Sequence, residues 1–223
     1  MIFALRVLRF LFFSSLLLII VGCAQKYSDV EERSISLGPG DLEQGGLAFI
    51  TPSTVTGQEE EKQAVALTFA DVLKRERPKI RVVNLAETLS ILNAAGLSNT
   101  YKKMYEEYRD SGLFKQDLLL TVSQELGTRY LAQLKLQGFS QNEKDRLQIL
   151  GLRIIETKQA TLRLFLQIWD GSDGTIAWEG LEELRRTRET ILEEPVTLYD
   201  MMELAAKDMI EKLPAEKSAQ ESQ

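Results

Sequence analysis

Few residues in this 223-residue chain could do chemistry, since it has no histidine and one cysteine, Cys23. A Ser-His-Asp triad, a Cys-His dyad and HExxH zinc chemistry all need an imidazole, so none can be built. No serine is followed three residues later by lysine, and no glycine is followed directly by lysine. That removes the SxxK and Walker A signatures, and Gly38-Pro39-Gly40 lacks the third glycine of a dinucleotide fingerprint. Carboxylate chemistry of the glycosidase kind is what remains. With 33 acidic residues, carboxylate pairs arise by chance, so the expectation is a protein that is not an enzyme and carries no cofactor and no metal. Asp170 and Asp173 could suggest calcium, but the spacing and distal glutamate of an EF-hand loop are missing, and a hairpin turn is the simpler reading.

Cys23 cannot form a disulfide within the chain, and its surroundings give it another use. Arg6 and Arg9 make a short positive region, and residues 10–20 are apolar apart from Ser14 and Ser15, as in a secretory signal. The run ends in Ile20-Val21-Gly22-Cys23, which resembles the lipobox of bacterial lipoproteins. That resemblance implies a diacylglycerol on the Cys23 thiol, cleavage after Gly22 and acylation of the new amino terminus. Each buried methylene contributes about 0.8 kcal/mol, so two or three acyl chains would hold the protein on a membrane. Ala24, where inner-membrane lipoproteins of enterobacterial type carry Asp, implies the outer membrane with the body facing the periplasm. The alternative is an uncleaved transmembrane anchor, since the apolar run nearly reaches spanning length.

Removing residues 1–22 takes away two basic residues and no acidic one, so the net charge of −6 becomes −8. A nucleic-acid binder shows a basic stripe. The short basic cluster Arg185-Arg186-Thr187-Arg188 is flanked by Glu182, Glu183 and Glu189, and it reads as a mixed-sign solvated face. Nucleic acid is therefore not an expected partner.

The expected organisation is a signal peptide over 1–22, a lipidated flexible linker over 23–45, a periplasmic α/β domain over 46–213 and a disordered tail over 214–223. The linker reading rests on the absence of an apolar period and on Gly38-Pro39-Gly40. Leu47-Ala48-Phe49-Ile50 reads as a buried strand. Thr56 and Glu59 form a capping-box pattern before a helix with Val65, Phe69, Val72 and Leu73 on one face, ended by Pro78. Ile80 to Val83 then gives a second strand, and strand, helix, strand predicts a parallel pair. Asn84 and Glu87 cap a helix closed near Gly96, a further helix covers about residues 99–110, and Leu118, Val122 and Leu126 define another that stops at Gly127. Alternation from Tyr130, strands over 147–155 and 162–169 joined by a turn at 156–159, and a strand at Ile176-Ala177-Trp178 after the Asp170 to Gly174 turn make an antiparallel meander. Thr197 caps the last helix, with Leu198, Met202, Ala205, Met209 and Leu213 inward.

Tyr101, Met104, Tyr105 and Tyr108 recur at helical spacing. Such a stripe either rests on the core or receives a partner protein, since Tyr and Met are enriched at interfaces.

The order of elements is similar to a group of envelope proteins: the curli secretion lipoproteins (CsgG-like), the LpoB-like activators of penicillin-binding proteins and the amino-terminal domain of TolB. The resemblance is carried by the strand from Gly46 to Ile50, by Gly127-Thr128-Arg129-Tyr130-Leu131 before Leu136-Gln137-Gly138, and by Ile168-Trp169-Asp170 with Gly174-Thr175-Ile176-Ala177-Trp178. It implies a single α+β domain with a mixed sheet, anchored to the membrane by lipid. It also implies a partner protein in the envelope, in cell-wall synthesis, envelope assembly or transport. An oligomeric lipoprotein related to the curli channel is the alternative.

Overall fold

The computed structural model describes residues 24–54, 59–149, 152–190 and 195–215; the signal segment, Cys23 and the Thr56 cap signal lie outside them. The described chain forms β1 (Ala24–Ser34), α1 (Asp41–Gly45), β2 (Leu47–Phe49), β3 (Ser53–Thr54), α2 (Glu59–Glu76) and β4 (Val82–Val83). It continues as α3 (Leu85–Ala94), α4 (Ser98–Ser111), α5 (Gln116–Leu126), β5 (Tyr130–Ile149), β6 (Leu152–Asp170), β7 (Ile176–Thr190) and α6 (Leu198–Lys212). One mixed sheet runs in the order β1-β7-β6-β5-β2-β4, with β3 also pairing with β5. Strands β2 and β4 are parallel, as the strand-helix-strand pattern predicts, and β5, β6, β7 and β1 are antiparallel.

Alternation of side chains across the sheet divides the interior into two cores. On one face Phe49, Leu134, Leu164, Leu166 and Trp178 meet Phe69 and Leu73 of α2 and Met202, Ala205 and Met209 of α6. On the other, Ala48, Leu131 and Trp169 meet Leu92 of α3, Met104 of α4 and Leu119 and Val122 of α5. The caps at the two predicted positions that fall among the described residues are present: Asn84 and Glu87 form a full capping box on α3, and Thr197 with Asp200 forms another on α6. Gly127 ends α5 in the left-handed region at φ 62°, where a Cβ is disfavoured.

Two sequence expectations are overturned. The segment expected to be a flexible linker, 23–45, is regular structure from Ala24 onward: β1 pairs along all of its 11 residues with β7, from Ala24 opposite Arg188 to Ser34 opposite Trp178, and α1 follows. Neither face of β1 is apolar; Val30 alone is a half-buried aliphatic, so periodicity gave no signal. The turn expected at 156–159 is continuous strand, with Glu156 opposite Asp145 and Gln159 opposite Asn142. The polar run there imitates a turn, although Lys158 is buried and Ala160 beside it belongs to the core. Pairing of β5 with β6 instead continues as far as Ile149 opposite Leu152. Of the tail expected over 214–223, Pro214 is tied to the body, its carbonyl accepting from Arg77 Nη2 at 3.2 Å; residues 216–223 lie outside the description.

Candidate functional site

The tyrosine stripe of α4 is the surface that the sequence singles out. Met104 is completely buried, and Tyr101, Tyr105 and Tyr108 are half-buried. The helix faces the loop after β2: the Thr51 N–H donates to Tyr101 Oη at 2.8 Å, and Tyr105 Oη donates to the Thr51 carbonyl at 2.7 Å. Tyr101 and Tyr105 meet edge to face, with centroids 5.1 Å apart. Tyr108 stacks on Phe114 at 4.3 Å, and Phe114 stands edge-on to Trp169 at 5.1 Å.

Burial raises the phenol pKa of all three, and Tyr105 is pushed well above the usual tyrosine range by burial and then by neighbouring Tyr101. These phenols are neutral hydrogen-bonding groups and cannot act as bases. Their geometry is that of packing: the stripe seals the second core and fixes α4 to the sheet. Beside it, Leu89, Ser90, Leu92, Asn93, Ser98 and Tyr101 line an open groove of about 440 Å³ between α3 and α4.

Asp170 and Asp173 are spent on the β6–β7 turn, as the sequence predicts. Asp170 accepts from Arg129 Nε and Nη2 at 2.9 and 2.6 Å and from the N–H and hydroxyl of Ser172, and Asp173 accepts from the N–H and hydroxyl of Thr175. Burial pushes the Asp170 carboxyl up, but the bonds from Arg129 and Ser172 outweigh it and hold it below the ordinary value.

Sequence reasoning missed a polar seam joining β1, β7 and α6. Glu182, grouped by its neighbours with a solvated face, is completely buried, whereas Glu183, Arg185 and Arg188 are exposed. Ser28 Oγ lies 3.0 Å from Glu182 Oε1 and 2.6 Å from Asp208 Oδ2, and Lys26 Nζ lies 2.6 Å from Asp208 Oδ1. Burial, with Asp208 nearby, raises the Glu182 carboxyl from 4.5 to about 7. The available signal was strand parity: Glu182 shares its side of β7 with Trp178 and Leu184, both of the core.

No protein-family model and no curated protein sequence matches the chain. Among solved structures it is similar to the PelC dodecamer from Paraburkholderia phytofirmans, with a TM-score of 0.49 and 12% identity over 86% of this chain and 100% of that one. It is similar also to lipoprotein GNA1162 from Neisseria meningitidis, with a TM-score of 0.37 and 14% identity over 75% of this chain and 99% of the other. A third likeness is to the LpoB C-terminal domain from Salmonella enterica, with a TM-score of 0.34 and 14% identity over 62% and 82% of the two chains.

Proposed function

We propose that this protein is a lipid-anchored lipoprotein of the bacterial outer membrane, acylated at Cys23, whose periplasmic α+β body binds another envelope protein and is not an enzyme. The observation that carries the reading is the lone thiol at the end of a signal-like apolar run, one residue before the first residue of β1. An anchor there would hold the sheet by its edge at the bilayer surface. Among the described residues no helix is long and apolar enough to cross a membrane. The mechanism is tethered presentation: confinement near a target raises effective concentration without adding a contact.

Mass analysis of the amino-terminal peptide, with fractionation of wild type and Cys23→Ala, tests the anchor. An acylated Cys23 in the outer-membrane fraction, lost in the variant, supports it; an intact start methionine with an unmodified thiol overturns it. Crosslinking in intact cells tests the rest. Capture of one other envelope protein supports the partner role, and capture of further copies of this chain alone replaces it with a homo-oligomeric lipoprotein.

A further inference from the structure

The seam between β1, β7 and α6 contains a proton-counting problem. Ser28 has one hydroxyl hydrogen, and its oxygen lies within bonding distance of two carboxyl groups, Glu182 Oε1 at 3.0 Å and Asp208 Oδ2 at 2.6 Å. If both were carboxylates, each could only accept, and one bond would be missing its hydrogen. The shorter contact belongs to Asp208, which is also paired with Lys26 at 2.6 Å. Ser28 therefore donates to Asp208, and the hydrogen between Ser28 and Glu182 must come from Glu182.

The surroundings agree. Glu182 is completely buried, and its second oxygen, Oε2, has no hydrogen-bond partner. An ionised carboxylate there would be a sequestered negative charge beside a second one. The charged groups that act on it are Asp208 from α6 and Lys26 and Asp29 from β1, Asp29 from the opposite side of the strand. By alternation Glu32 of β1 and Arg186 of β7 share its side of the sheet, and its opposite residue on β6 is Leu164, which carries no charge.

We infer that the amino-terminal strand is a releasable latch, locked in place by a proton held on Glu182 within the chain Lys26, Asp208, Ser28, Glu182. Loss of that proton leaves Ser28 one hydrogen for two anions, and the least costly relief is for β1 to lift away and let water reach Glu182. The carboxyl pKa of about 7 puts this change near neutrality. Release would free the 11 residues of β1, about 36 Å of extended chain at about 3.3 Å per residue. Resting on the lipid-anchor reading, this adds that length to the tether between membrane and body, so that local pH sets how far the body reaches.

Hydrogen–deuterium exchange on the full chain in detergent micelles, corrected for intrinsic amide rates, tests the lock at about pH 5.5 and about pH 8.5. Peptides covering β1 and the facing part of β7 should lose about tenfold in protection at the higher pH, while peptides from β2 and α5 stay unchanged. Glu182→Gln, which can neither ionise nor lose its hydrogens, should keep β1 protected at both values. If that variant fails to fold, Asp208→Asn serves: it lets the Ser28 hydroxyl turn to an ionised Glu182 and should shrink the pH response. Flat protection of β1 in the wild type, or an undiminished response in the variant that folds, overturns the lock. Lipidation is read separately by mass, so a failed anchor and a failed lock are distinguishable.

Discussion

At the scale of single residues, two buried acids are used in opposite ways. Glu182 has its carboxyl raised from 4.5 to about 7, so between those values the folded protein binds a proton that the unfolded chain does not. Its contribution is fully present below about 4.5 and falls away as pH rises to about 7, a loss on the order of 3 kcal/mol. Urea titrations should therefore show Glu182→Gln gaining on the wild type between about pH 5 and about pH 8, and equal slopes for the two would contradict the assignment. Asp170 is the reverse case. Its folded value lies below the ordinary 3.8, so its stabilisation is present above that value and is lost as pH falls through the lowered one. Asp170→Ala removes four bonds from a nearly buried carboxylate, but Arg129 is 52% exposed and can be rehydrated. The expected cost at neutral pH is accordingly about 2 kcal/mol, and it should shrink in strong acid.

At the scale of elements, α4 shows how a surface-looking stripe becomes structure. Met104 is completely enclosed by the second core, so Met104→Ala should cost about 2–4 kcal/mol in denaturant unfolding. Tyr105→Phe keeps the ring against Phe114 and loses the bond to the Thr51 carbonyl and the longer one, 3.4 Å, accepted from Tyr101 Oη, a change of about 1 kcal/mol. A partner-binding role alone would leave both stabilities at the wild-type value. The helices were legible because their signals are local: an Asn84 cap, a Gly127 stop, leucines on one stripe. Strand β1 and the Glu156 to Gln159 stretch of β6 were not. What specifies β1 is a row of main-chain bonds to a strand about 150 residues later, plus the polar seam at Ser28. Neither leaves a period in the sequence. In β6, Glu156 to Gln159 look like a turn because only distant partners reveal that they are paired.

For the whole molecule, β1 is the outermost strand of the sheet, and it carries Lys26, Asp29, Glu31, Glu32 and Arg33, charges of the kind that discourage edge-to-edge association. Behind it lies β7, 15 residues long, with Trp178 and Leu184 on its inner side. Removing residues 24–34 would make β7 the edge, unpair its outward amides and carbonyls, and open Glu182 to water. Two effects should then appear together. The truncated body should self-associate on size-exclusion chromatography, because a long edge with apolar flanks is a template for pairing. Its Glu182 should titrate near the ordinary carboxylate value, so the stability difference between it and its own Glu182→Gln form should lose its dependence on pH. A monomeric truncation that retained the pH dependence would mean that Glu182 is buried by α6 alone, and that β1 neither guards the edge nor holds the proton.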